Sequence, residues 1–96
     1  MLNTKQKSYL KSLIQTKHAL YQCGKDGLSD TFIQLIKNSF NTHELIKIHI
    51  LKTLAVDLKE LAFDLSRLTN SEVVQIIGRH IVLYKAFKKP EIQLPR

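Results

Sequence analysis

Ala19-Leu20-Tyr21-Gln22-Cys23-Gly24-Lys25-Asp26-Gly27-Leu28-Ser29-Asp30-Thr31-Phe32 is the stretch that decides the fold. Ala19 to Cys23 reads as a short buried strand. Gly24-Lys25-Asp26-Gly27 is a loop with glycine at both ends, and Ser29 is a suitable N-cap for a helix. Phe32, Leu35, Ile36 and Phe40 then recur at helical spacing, with Gln34, Lys37, Asn38 and Asn41 turned outward. A strand, a glycine loop and a helix in succession suit a phosphate group. Glycines admit positive φ and let another backbone come close. The start of a helix adds unpaired N–H groups and the positive end of its dipole. Lys25 adds a charge at the tip. The same four residues also fit a plain tight turn. Asp26 places a carboxylate inside the loop that would repel phosphate unless it points away or caps the next turn.

On the N-terminal side, Thr4 is expected to cap a helix running to about Lys17, with Tyr9, Leu10, Leu13 and Ile14 as its apolar stripe. Lys7, Lys11 and His18 fall on a narrow arc of the opposite side. On the C-terminal side, Leu45 to Leu51 alternates: Ile46, Ile48 and Ile50 on one face, Lys47 and His49 on the other. That is the pattern of a half-buried strand. Asp57-x-x-Glu60 resembles a capping box and opens a third helix along Leu58, Leu61, Ala62, Leu65 and Leu68. Asn70-Ser71 ends it. Val73–Ile77 and Ile81–Lys85 are strands around a Gly78-Arg79-His80 hairpin. Residues 87–96, with Pro90 and Pro95, are expected to be an extended tail. The order α-β-α-β-α-β-β predicts a single compact α/β domain. Crossover connections make its sheet partly parallel, and the final hairpin makes it mixed.

The chain has 96 residues, 44% of them hydrophobic, which supports one modest core and excludes a disordered chain. Fifteen Lys+Arg against eight Asp+Glu give a net charge of +7. Such an excess favours polyanionic partners. The charges are also segregated. Five lysines (Lys5, Lys7, Lys11, Lys17, Lys25) precede the first acid, Asp26. Arg79, Lys85, Lys88 and Lys89 lie in a second acid-free stretch, from Val73 to Pro90. Between Lys52 and Glu72 the signs are mixed.

One cysteine, Cys23, excludes an internal disulfide and fits a reducing compartment. No apolar run reaches the ~20 residues that span a bilayer, and Lys5 and Lys7 interrupt any signal-peptide core. A cytoplasmic monomer with no membrane partner and no small-molecule substrate is expected. His18, His43, His49 and His80 show no metal-ligand spacing, so no metal and no cofactor is expected. There is no G-x-x-x-x-G-K-[ST] nucleotide loop. No nucleophile or acid–base set is visible, so no catalytic residue is assigned and no enzyme is expected. Tyr21 and Tyr84 are the aromatic candidates for base stacking, though packing explains both more simply.

Four ordered blocks then carry a family resemblance: Leu2-x-x-Lys5-Gln6-x-x-Tyr9-Leu10, Gly24-Lys25-x-Gly27-Leu28-Ser29, Glu44-Leu45-Ile46-Lys47-Ile48, and Val73 to Gly78 continuing Arg79-x-Ile81-Val82-Leu83-Tyr84. Over nearly its whole length the chain resembles the CRM (chloroplast RNA splicing and ribosome maturation) domain, and looks most like its bacterial single-domain YhbY-type members. The resemblance implies an RNA-binding domain of three helices and a mixed four-stranded sheet, with the G-x-x-G loop touching RNA. It further implies ribosomal RNA in precursors of the large (50S) subunit as the partner. Carried onto this chain, the loop is Gly24, Lys25, Asp26 and Gly27. Lys5, Lys7 and Lys11 are expected to extend the basic surface on one side, Arg79 and Lys85 on another. His80 stands where the family commonly has a basic residue. A module that docks on acidic ribosomal or assembly proteins is the alternative expectation.

Overall fold

The computed structural model describes residues 2–95. Its elements are α1 (Thr4–Ile14), β1 (Tyr21–Cys23), α2 (Asp30–Ser39), β2 (Leu45–Ile50), α3 (Leu58–Thr69), β3 (Glu72–Ile77) and β4 (His80–Tyr84). The predicted order of helices and strands is the observed one. The four strands form one sheet in the order β1-β2-β4-β3. β1 runs parallel to β2, and β4 runs antiparallel to both β2 and β3.

The local reasons for these elements are mostly those read from the chain. Ser29 Oγ accepts from the Phe32 N–H and starts α2, and Asp57 Oδ1 accepts from the Lys59 N–H and starts α3. Asn70 closes α3 in the left-handed region at φ 55°, a conformation asparagine tolerates. Strand ends differ from expectation by one or two residues, and both ends of α1 differ. Asn3, not Thr4, caps α1, because Asn3 and Gln6 exchange side-chain and backbone hydrogen bonds in a full capping box. The helix also ends at Ile14, after which the Lys17 N–H bonds back to the Ile14 carbonyl.

The sheet has a different helical cover on each face. Ile46, Ile48 and Ile50 of β2, with Ile81 and Leu83 of β4, pack under α2 and α3 against Ile36, Phe40, Leu61 and Leu65. Most of these side chains are fully buried. On the other face, Leu10 and Ile14 of α1 pack on Val74, Val82 and Tyr84, joined by Ile92 and Leu94. A register shift between Val73 and Gln75 lets Val74 reach this second face before pairing resumes.

Residues 87–95 contain no helix or strand, yet they are docked. Buried Glu44 accepts backbone N–H groups from Phe87, Glu91 and Ile92, at 3.1, 2.8 and 2.8 Å. Gln6 Nε2 donates to the Pro95 carbonyl. The segment therefore closes the lower end of the α1 face, beside the start of β2 and the end of β4.

Candidate nucleic-acid interface

The Gly24–Gly27 loop leaves β1 at the upper end of the sheet, where β2 also ends and β4 begins. Its backbone closes as a turn, with the Gly27 N–H donating to the Gly24 carbonyl at 2.9 Å. Only Gly27 has positive φ, at 63°. Gly24 has ordinary φ, and a Cβ there would meet Leu51 Cδ1 at 3.5 Å, a normal contact. Lys25 and Asp26 are both exposed. Beneath the loop, Cys23 is buried and its thiol donates to the Gly27 carbonyl at 3.5 Å. Burial pushes that thiol's pKa up, which makes it a packing residue and a poor nucleophile.

A second layer supports this end from behind. Arg79, in the two-residue turn between β3 and β4, points into the β2–α3 connection. Its Nε donates to the Ile50 carbonyl at 2.9 Å, and one terminal nitrogen donates to the Leu51 and Leu54 carbonyls at 2.8 Å each. Leu51 and Leu54 are the side chains that lie against Gly24 and Gly27. Arg79 thus fixes the shelf on which the loop rests.

The helices on the two sides of the sheet differ in charge. α3, on one side, carries Asp57 at its cap and Glu60 and Asp64 beside Lys59 and Arg67, with an exposed Arg67–Asp64 pair at 3.8 Å. The α1 side carries Lys7, Lys11 and, from β2, Lys47. Leu10 and Ile14 point into the sheet. Lys7 and Lys11 therefore lie along the flank of α1 that faces the upper half of the sheet, at ~100° per residue. Lys11 and Lys47 line one cleft of about 300 Å³ together with Gln75 and Ile77. Lys5 is turned about 200° from Lys7 around the axis and lies away from this flank.

α1 covers only the lower part of its face. Above it, one residue from each strand stands in register: Gln22 opposite His49, His49 opposite His80, His80 opposite Ile77. The two imidazoles stack, with ring centroids 4.7 Å apart and planes 18° apart. Burial, then the electrostatic influence of His49 and Lys47, lowers the pKa of His80 from the ordinary imidazole value.

A domain model described as CRS1 / YhbY (CRM) matches residues 2–85. The chain belongs to the CRM domain family. It is 38% identical over 96 residues to a Bacillus subtilis (strain 168) protein named "Probable RNA-binding protein YqeI", covering 99% of this chain and 100% of the relative. A Haemophilus influenzae relative named "RNA-binding protein" is 36% identical over 96 residues, covering 99% and 96%. The solution structure of the hypothetical protein SAV1595 from Staphylococcus aureus matches with a TM-score of 0.83 and 44% identity, covering 99% and 100%.

Within this CRM domain, the residues singled out from sequence are divided between places. Gly24, Lys25, Asp26 and Gly27 share the upper end of the sheet with Arg79, whose guanidinium is engaged with carbonyls. Lys7 and Lys11 border the open half-face below the loop. Lys85 follows β4 at the lower end, where its N–H bonds to the Glu44 carbonyl, a full strand length from the loop. Tyr84 is buried at that lower end, and its phenol is pushed up first by burial and then by Glu44 and Glu72. Tyr21 packs against the core under α2 and α3. Sequence reasoning assigns no part in the site to Gln22, Lys47, His49 or His80. The alternation of Lys47 and His49 is their visible trace in the chain.

Proposed function

We propose that this domain binds ribosomal RNA in precursors of the large (50S) ribosomal subunit and acts there as an assembly or maturation factor, without catalysis. The observation that carries the reading is an open half-face of the sheet with the Gly24–Gly27 turn at its upper end and the lysines of α1 and β2 along its lower border, in a family whose relatives are named for RNA binding. Gly24 lets a phosphodiester backbone approach the turn. Lys25, Lys7, Lys11 and Lys47 supply the positive potential, with Lys5 at the margin. Arg79 holds the shelf beneath. Most contacts fall on phosphate, so they give affinity more than sequence choice. A cytoplasmic site of action follows from that partner. Among the described residues, no helix is long and apolar enough to cross a membrane.

Crosslinking in cells, followed by sequencing of the attached RNA, tests the partner. Reads concentrated in large-subunit ribosomal RNA are expected, and reads spread over messenger RNA would refute that choice. Replacing Lys7, Lys11 and Lys25 with glutamate should abolish RNA binding while leaving the circular dichroism spectrum unchanged. Full affinity in that variant would remove this surface as the site. If acidic proteins were the partner instead, association with ribosomal particles would survive nuclease digestion.

A further inference from the structure

Among the described residues, no helix lies over the upper half of the α1 face, and its composition is specific. The row Gln22–His49–His80–Ile77 crosses all four strands at the level next to the loop. Gln22 directly precedes Cys23 and Gly24, so the row starts within reach of a strand held at the loop. The row offers one amide, two imidazoles already stacked at 4.7 Å, and an isoleucine left 55% exposed. The next level down holds Lys47, Gln75 and Val82, with Lys11 reaching in from α1. Neither level contains a carboxylate. Planar side chains flanked by cations are what single-stranded nucleic acid uses: bases stack on the flat groups while phosphates follow the charges. The lysines alone would explain phosphate binding. They do not explain an exposed isoleucine and a histidine pair on an uncovered sheet face.

We propose that Gln22, His49, His80 and Ile77 form a platform for the bases of single-stranded RNA whose backbone is held by the Gly24–Gly27 loop and by Lys11 and Lys47. The proposal rests on the RNA-binding reading above and adds base contact to it. The surroundings of His80 disfavour its protonated form, which suits it to stack rather than to act as a fixed charge.

The test compares two fluorescently labelled probes, an oligoadenylate and an abasic ribose-phosphate strand of equal length, on the full chain. Wild-type protein should bind the oligoadenylate more tightly. The double variant His49→Ala/His80→Ala should lose roughly tenfold or more on the oligoadenylate and little on the abasic strand. Unchanged binding, or equal loss on both probes, overturns the platform and leaves phosphate recognition standing. Binding of neither probe by wild-type protein overturns the RNA reading and the platform together. If the double variant fails to fold, the wild-type histidine ring protons decide. Oligoadenylate should shift the His49 and His80 resonances upfield and the abasic strand should not, whereas unmoved resonances overturn the proposal.

Discussion

Gly24→Ala and Gly27→Ala should move stability in opposite directions, although the two glycines look equivalent in sequence. Gly27 has φ 63°, and a Cβ there would have room, with Leu54 Cδ1 at 3.8 Å. The cost is therefore backbone strain, ~1–2 kcal/mol for an L-residue in the left-handed region. Gly24 has no positive φ, and its Cβ would make an ordinary contact at 3.5 Å. Alanine at such a position restricts the unfolded chain and stabilises by ~0.4–1 kcal/mol. The same entropic gain offsets part of the loss at Gly27, leaving a net cost of ~0–1.6 kcal/mol. At ~4–8 °C per kcal/mol for a domain of this size, the melting midpoint should rise by roughly 2–8 °C for Gly24→Ala and fall by up to roughly 13 °C for Gly27→Ala.

Binding should not follow stability. If glycine is needed at position 24 for close approach of a phosphodiester backbone, Gly24→Ala gives a more stable protein that binds RNA more weakly. The expected loss is roughly tenfold, equivalent to one charge-assisted hydrogen bond of ~1.5 kcal/mol. Thermal melts by circular dichroism and anisotropy titrations with labelled oligoadenylate measure the two effects separately. A Gly24→Ala protein as destabilised as Gly27→Ala would refute the conformational assignment. A stabilised Gly24→Ala protein with undiminished affinity would refute close approach at Gly24.

Arg79→Lys should lose ~1.5–3 kcal/mol, because an ammonium does not reproduce a planar donor set spanning the Ile50, Leu51 and Leu54 carbonyls; denaturant unfolding that matches wild type would refute this role. Glu44→Ala strips the acceptor from the Phe87, Glu91 and Ile92 N–H groups and should cost on the order of 2–4 kcal/mol, with fast hydrogen exchange at those three amides; retained protection would show that other contacts dock the segment. Stability should also depend on pH through His80. This side chain faces His49 and Lys47 of β2, with Lys11 of α1 beside them, and binds its proton less readily in the folded chain than in the unfolded one. Its contribution to stability is therefore complete above pH ~6.5 and is lost as pH falls through the depressed folded value. The melting midpoint should drop on acidification over that window, and His80→Gln should flatten the slope; an unchanged slope in the variant would assign it to another group.

The fold was legible because its periodicities are strong where burial is strong. Ile46, Ile48 and Ile50 alternate because all three are fully buried under α2 and α3. Ile36, Phe40, Leu61 and Leu65 keep helical spacing for the same reason. The chain is least legible where side-chain chemistry competes with pattern. Asn3 displaces Thr4 as cap through a reciprocal bond with Gln6. Leu13, Leu35 and Leu68 extend the apolar stripes in sequence yet remain 37%, 43% and 39% exposed, because they sit at the margins of their helices' contact with the sheet. The docking of residues 87–95 depends on a buried carboxylate meeting three N–H groups more than forty positions away. No local pattern marks such a contact.

The candidate site was half legible, and the missing half comes from topology. Glycine spacing and lysine clustering are one-dimensional signals, so Gly24–Gly27, Lys7 and Lys11 stand out in the chain. Which cations face solvent is a three-dimensional property. Arg79 is drawn into the β2–α3 connection by three carbonyls, while Lys47, an ordinary member of an alternating strand, comes to share a cleft with Lys11. The His49–His80 stack requires the β2–β4 register, and its openness requires that α1 stop short of the sheet's upper end. What leaves the face beside the loop open is where α1 lies: its C-terminal end is set beside Glu44 and Leu45 at the lower end of the sheet, and only its lysine flank faces the upper half. The capping box at Asn3 fixes where the helix begins. The same short helix that covers the lower core thus determines how much sheet is left for a ligand.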